Sequence, residues 1–213
     1  MMKKLCIFLV LVVFILSAAN VAYVWYQTDV SLRPKCNVQW TGEIDRSFAE
    51  QVRIDLHVAQ MEGCGTLRAA LMSPGGSVIW SVETSQVIKR AKKKGLIVEI
   101  HGRSMVASGA TLVLAAGSPG KRFIAANTLA LLHGVQRGGG FMEPPVCVDL
   151  RTIASKSDED SNILRRVITL IISELSESVN QPFDKVEQWF RCGNEKAGSG
   201  SLLVELGIAD KEE

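Results

Sequence analysis

At 213 residues and 47% hydrophobic content, the chain has room for one α/β domain with a proper core and short extensions. The first 26 residues hold Lys3, Lys4 and no acid, so the remainder carries 22 basic and 22 acidic residues. This even balance argues against nucleic acid as a partner.

The N-terminus carries the clearest local signal. Met-Met-Lys-Lys precedes an uncharged, mostly apolar run over residues 5–26. As a helix that run is roughly 33 Å long at 1.5 Å per residue, enough for a bilayer core of about 30 Å. The basic pair should stay cytoplasmic and place the rest outside. The alternative is a cleaved signal peptide, with residues 5–16 as its apolar region and Ser17-Ala18-Ala19 as the cleavage site. Both readings export the domain, membrane-anchored towards the periplasm or extracellular side, or secreted. Residues 27–36 read as a polar linker, and residues 37–213 as the folded domain.

Cys6 lies in the apolar run, which leaves Cys36, Cys64, Cys147 and Cys192. In an oxidising compartment these can form two disulfides, by three possible connectivities. They show no Cys-x-x-Cys spacing and no nearby histidine, so neither zinc nor another metal is expected.

Residues 38–44 read as a first strand. Asp45 is a fair N-cap for a helix over 46–61, whose inward face carries Phe48, Val52, Leu56 and Ala59. Gly63 and Gly65 break it. Residues 67–72 make a buried strand, and Ser73-Pro74-Gly75-Gly76-Ser77 is its exit turn. A second helix turns Trp80, Val87, Ile88 and Ala91 inward. It ends in Lys89, Arg90, Lys92, Lys93 and Lys94 before Gly95, a cluster explained by the preference of cations for a helix C-terminus.

Residues 96–100 form the next strand, 107–116 a short apolar helix, and 123–132 another strand leading into His133. Strand and helix in alternation imply right-handed crossovers and a largely parallel sheet. Residues 135–145 read as a loop that could form a substrate-binding edge, and 149–179 as one long helix. Its second half carries Ile163, Leu164, Val167, Ile168, Leu170, Ile171, Ile172 and Leu175, a stripe wide enough for a core contact and a homo-oligomer interface. A short helix over 183–190 follows, and residues 202–210 close the chain.

Three sites gather where strands end, the edge at which α/β folds collect reactive groups. Ser108 precedes Gly109 and Ala110 at a helix start, where free N–H groups favour negative charge. Gly75 and Gly76 can present backbone N–H groups without side chains in the way. His133 lies one crossover further on and has the chemistry of a general base. A serine hydroxyl needs such a base, and donors for its oxyanion, before it attacks. His57, on the first helix, and His101, at a strand end, read as structural.

The segments SPGGS, ASGATLVLAAGSPGKRF, LLHG and ELGIAD resemble the proteolytic subunit of the Clp protease and its relatives in the Clp/crotonase superfamily. The spacings from Ser108 to Gly117, Arg122 and His133 match that pattern without a gap, and the resemblance spans roughly residues 38–210. It implies an α/β crotonase-like (ClpP-like) ββα superhelix, here preceded by a transmembrane or signal helix. It also implies Ser108 as nucleophile, His133 as base, Gly75 or Gly76 with Gly109 as the oxyanion hole, and no cofactor.

Three departures stand out. The stretch from Gly102 to Ser108 is two residues longer than the family's turn, which makes Ser104 a rival nucleophile. No aspartate stands where the family's acid lies; counting back from ELGIAD reaches Glu195, with Asn194 beside it. An exported domain also meets no ATP, which speaks against unfoldase-driven degradation. A membrane-bound relative, the signal peptide peptidase type, pairs its serine with a lysine, and Lys156 is the alternative base here.

The expectation is therefore a serine endopeptidase-like hydrolase that cleaves peptides or flexible protein segments through an acyl-enzyme. The alternatives are a catalytically weak or inactive Clp-like binding or scaffold protein, and a crotonase-type acyl-CoA enzyme, which coenzyme A outside the cytoplasm makes a poor fit.

Overall fold

The computed structural model describes residues 36–138, 145–154 and 158–213. Residues 35–213 make one compact unit. The expected membrane or signal helix and most of the linker lie outside the described residues, and so does Lys156. No described helix is long and apolar enough to cross a membrane.

Strand β1 (Asn37–Thr41) is followed by helix α1 (Arg46–Met61), which Asp45 caps by accepting the Phe48 N–H at 2.9 Å. Strand β2 (Thr66–Ser73) buries every second residue, Leu67, Ala69, Leu71 and Ser73, as a half-covered strand should. Helix α2 (Val78–Lys93) returns over the sheet to strand β3 (Ile97–Ala107), and helix α3 (Gly109–Ala115) follows. Next come β4 (Arg122–Ile124) and β5 (Leu129–Leu132). β1, β2, β3, β4 and the terminal β9 (Lys211–Glu212) run parallel in that order, and β5 pairs β3 in parallel. β8 (Lys196–Gly198) joins β5 antiparallel. Buried Leu67, Leu71, Ile88, Ile100, Leu114 and Ile124 anchor the core, each contributing roughly 1.5–3 kcal/mol by leaving water.

Several expected boundaries move, each for a local reason. The first strand stops at Thr41, and Ile44 keeps only one bridge, to Gly76. β3 runs on to Ala107 through a bulge: Leu71 pairs with Gly102, but Ser73 pairs with Val106. The two extra residues before Ser108 are absorbed there, with Ser104 at φ 55°. The bulge also divides the strand expected over 123–132. β4 pairs β3 at Ile100–Gly102, ahead of the bulge, and β5 pairs it at Met105–Ala107, beyond the bulge.

The expected loop after His133 begins as strand β6 (Val135–Arg137), which pairs antiparallel with β7 (Val146–Val148) just beyond the loop. The long helix is two, α4 (Leu150–Ile153) and α5 (Glu159–Val179), capped by Asp149 and Asp158. On α5, Ile168, Ile171, Ile172 and Leu175 face the core, whereas Ile163 and Leu170 are 55% and 45% exposed. Helices α6 (Phe183–Trp189) and α7 (Gly200–Glu205) precede β9.

Arg122 ties the C-terminal segment down. Its Nε and backbone N–H both donate to Asp210 Oδ2 at 2.9 Å, Nη2 donates to Oδ1, and Nη1 reaches Ser178 O at 3.1 Å. Two lysines of the basic cluster on α2 serve structure as well. Lys89 pairs with Glu174 and Glu177 at 2.7 Å, and Lys92 donates to the carbonyls of Ala116 and Gly117 at 2.8 Å.

Candidate active site

The ends of β2, β3 and β5 meet at one cleft of about 310 Å³, lined by Gly75, Gly76, Ser108, Gly109 and His133 among others. Ser108 sits at φ 53°, ψ −126° between β3 and α3. A non-glycine residue pays roughly 1–3 kcal/mol for such a conformation, which persists only where the surroundings enforce it. Two contacts do so. The Ser108 N–H donates to Leu131 O at 2.7 Å, and its carbonyl accepts the Thr111 hydroxyl at 2.7 Å. Its own hydroxyl does not cap α3. The ordinary use of a serine at a helix start is thus missing, and the strained turn holds the side chain at the cleft.

The glycines divide their work. The Gly75 N–H donates to Ser73 Oγ at 3.1 Å and the Gly75 carbonyl accepts from Ile44 N at 2.7 Å. The Gly75 N–H is thereby engaged, which leaves Gly76 as the freer donor of the expected Gly75-or-Gly76 pair. Its backbone packs so closely on the elbow that a Cβ would lie 2.6 Å from Ser108 Cβ. The N–H groups of Gly76 and Gly109 have no protein acceptor among the described residues. Both residues line the cleft with Ser108, as an oxyanion site requires.

His133 Nδ1 lies 2.7 Å from Gly134 O. A carbonyl can only accept, so Nδ1 carries the proton and Nε2 keeps a free lone pair. Among the described residues no hydrogen bond joins Ser108 Oγ to the ring, although both line the one cleft. The β5–β8 register pairs Leu132 with Lys196. The pairing ends there: His133 follows directly after Leu132 and Glu195 directly precedes Lys196, and Glu195 is not among the residues that line the cleft. The Glu195 carboxyl is held below the usual carboxylate range by its own N–H and that of Gly193, and last by the charge of His133. Asn194 instead donates to Gln188 O at 2.6 Å and serves the turn.

Residues 20–211 match the Clp protease family. The chain belongs to the Clp protease family. Among solved structures it is similar to the ClpP protease catalytic domain from Plasmodium falciparum, at 18% identity and a TM-score of 0.65. That match covers 84% of this chain and 85% of the other. At this identity the likeness speaks for the fold, an α/β ClpP-like one.

In this Clp-family fold the other expected residues fall elsewhere. Ser104 is exposed on the β3 bulge and does not line the cleft. His101 is structural: it stacks on Phe123 and bridges Glu99 and Glu213 at 3.0 and 2.8 Å. Burial raises the Glu99 pKa, but hydrogen bonds from His101 and Lys121 outweigh it and bring it down to about 2. The four cysteines, whose connectivity the sequence left open, pair as Cys36–Cys64 and Cys147–Cys192. Among the described residues no group of His, Cys, Asp or Glu could hold a metal ion.

Two features escaped sequence reasoning. The apolar cleft wall of Val78, Leu112, Ile171 and Phe190 comes from four separate elements and has no local signature. Asp149 is only 2% exposed, and its carboxylate accepts the N–H groups of Thr152 and Cys192 at 2.7 and 3.0 Å. An Asp three residues before Thr at the head of an apolar turn was the available signal for the first of these contacts.

Proposed function

We propose that the protein is a serine endopeptidase of the Clp family, working outside the cytoplasmic membrane on peptides or flexible protein segments. The observation that carries this reading is the strained Ser108, its hydroxyl not spent on capping, sharing a cleft with His133 and two glycine amides that no described residue claims. Ser108 Oγ attacks the scissile carbonyl carbon and passes its proton to His133 Nε2. The resulting oxyanion takes the N–H groups of Gly76 and Gly109. The C–N bond then breaks as the imidazolium returns the proton to the leaving amine, and water, deprotonated by the same ring, releases the acyl group. The apolar wall favours an apolar side chain next to the cleaved bond.

We assign Glu195 as the third member from its place directly before β8, with His133 directly after β5, acting through charge and not through a direct hydrogen bond. Lys156 is the competing base. The apolar run over residues 5–26 and the two cysteine pairs support export, with the run as anchor or signal. Exposed Ile163 and Leu170 on α5 support a homo-oligomer, which light scattering of the Ile163→Glu variant would test. The missing Ser108–His133 hydrogen bond favours the second reading, a binding protein without turnover.

A fluorophosphonate probe separates the two readings. The peptidase labels covalently and loses all labelling in Ser108→Ala; folded wild-type protein that takes no label is the binding module. The loss of labelling in His133→Ala but not Lys156→Ala names the base, and the reverse result would replace His133 with Lys156.

A further inference from the structure

Asp149 does more than cap a helix. One carboxylate oxygen accepts the Thr152 N–H at 2.7 Å, and the Thr152 hydroxyl takes the Asp149 N–H at 2.9 Å, which completes the cap of α4. The other oxygen accepts the Cys192 N–H at 3.0 Å, across 43 residues of sequence, with Arg151 at 3.4 Å. Cys192 is also bonded to Cys147, two residues before Asp149. A backbone hydrogen bond and a covalent bond therefore grip the same residue from the same strand end.

Both sides of the candidate site touch this junction. Next after Cys192, the Gly193 N–H donates to Glu195 Oε1 at 3.2 Å, so the gripped turn ends on the carboxylate that leads into β8, the partner of the strand before His133. On the other side, Gly134 packs so tightly on Cys147 Sγ and Phe190 O that a Cβ would lie 2.7 Å from each. The carbonyl of this same Gly134 holds His133 Nδ1. A helix cap alone requires neither the Cys192 contact nor its place between these two residues.

We infer that Asp149 is a positioning residue which, with the Cys147–Cys192 bond, holds the 192–195 turn so that Glu195 faces His133. The inference rests on the proposed Ser108–His133 reading. Glu195 is exposed and the β5–β8 pairing stops one residue short of it, so the gripped turn is what holds its carboxylate.

The test uses full-length protein and the Asp149→Asn variant. Asparagine caps helices as well as aspartate does, but it cannot offer both a cap acceptor and a second oxygen to Cys192. Labelling by the fluorophosphonate should fall roughly tenfold in Asp149→Asn, and less than about twofold when Glu195→Gln is already present. Cys147→Ser should behave like Asp149→Asn, while Cys36→Ser leaves the labelling rate at the wild-type value. Exchange of the Cys192 amide with deuterium should accelerate in Asp149→Asn.

The Glu195 carboxyl titration followed by NMR supplies a readout that needs no turnover. Its own N–H and that of Gly193 hold it below the usual carboxylate range, and its curve should move up in Asp149→Asn and in Cys147→Ser. Glu43, which lines the cleft, is the same in every variant. Superposed wild-type and Asp149→Asn curves, or labelling losses that simply multiply, would overturn the inference. Wild-type protein that takes no label, yet shows the upward shift in Asp149→Asn, keeps the positioning role and discards the peptidase reading.

Discussion

The nucleophile and the acid are held by opposite means. Ser108, Gly109 and Gly76 sit where buried parallel strands end, and the strain at Ser108 is imposed by neighbours on β5 and α3. Glu195 stands on an exposed turn outside the core, tied back by the Asp149 carboxylate and a disulfide. Packing fixes the nucleophile, and discrete bonds fix the acid. Damage at the first should therefore destroy function or fold, while damage at the second should lower the rate in steps.

The largest expected effect is at the base. His133→Ala should slow labelling of Ser108 by roughly 10³-fold, within the 10²–10⁴ range for a general base. At the oxyanion site, Gly109→Ala would put a Cβ 2.1 Å from Ser81 Oγ. It should displace the amide and cost about 10²-fold, and an added Ser81→Gly should restore part of the rate. On the bonded side, Glu195→Gln should cost about tenfold and Asn194→Ala less than about twofold, because Asn194 is spent on Gln188 O whereas the charge of His133 reaches the Glu195 carboxyl.

Away from the cleft, losing Cys36–Cys64 should lower unfolding stability by about 3–4 kcal/mol in urea titrations and leave labelling of the folded protein unchanged. The smallest effect is at Glu99. Its folded pKa, about 2, lies below the ordinary value of 4.5. Its contribution is thus complete above about 4.5 and is lost as pH falls towards 2. Glu99→Gln should flatten the acid limb of the stability curve, read by thermal melting.

The packed side was also the side legible in sequence. Asp45, the α1 face of Phe48, Val52, Leu56 and Ala59, and the sites Gly76, Ser108 and His133 follow from local periodicity and turn chemistry. Family spacing added that they belong together. The division of Gly75 from Gly76 was not legible, because it depends on a hydroxyl two residues back, Ser73. Nor was the break between β4 and β5, which follows from the pairing shift at the β3 bulge. The grip of Asp149 on Cys192 joins residues 43 apart that no periodicity connects.

The central claim is that the hydroxyl of Ser108 becomes acylated. Folded protein should be mixed with an unstructured polypeptide, quenched in acid within the first turnover, and mapped by mass spectrometry. The account predicts an acyl adduct on Ser108 that forms before free product and disappears in Ser108→Ala. Cleavage with the adduct on another residue, or no cleavage and no adduct in folded protein, would contradict it.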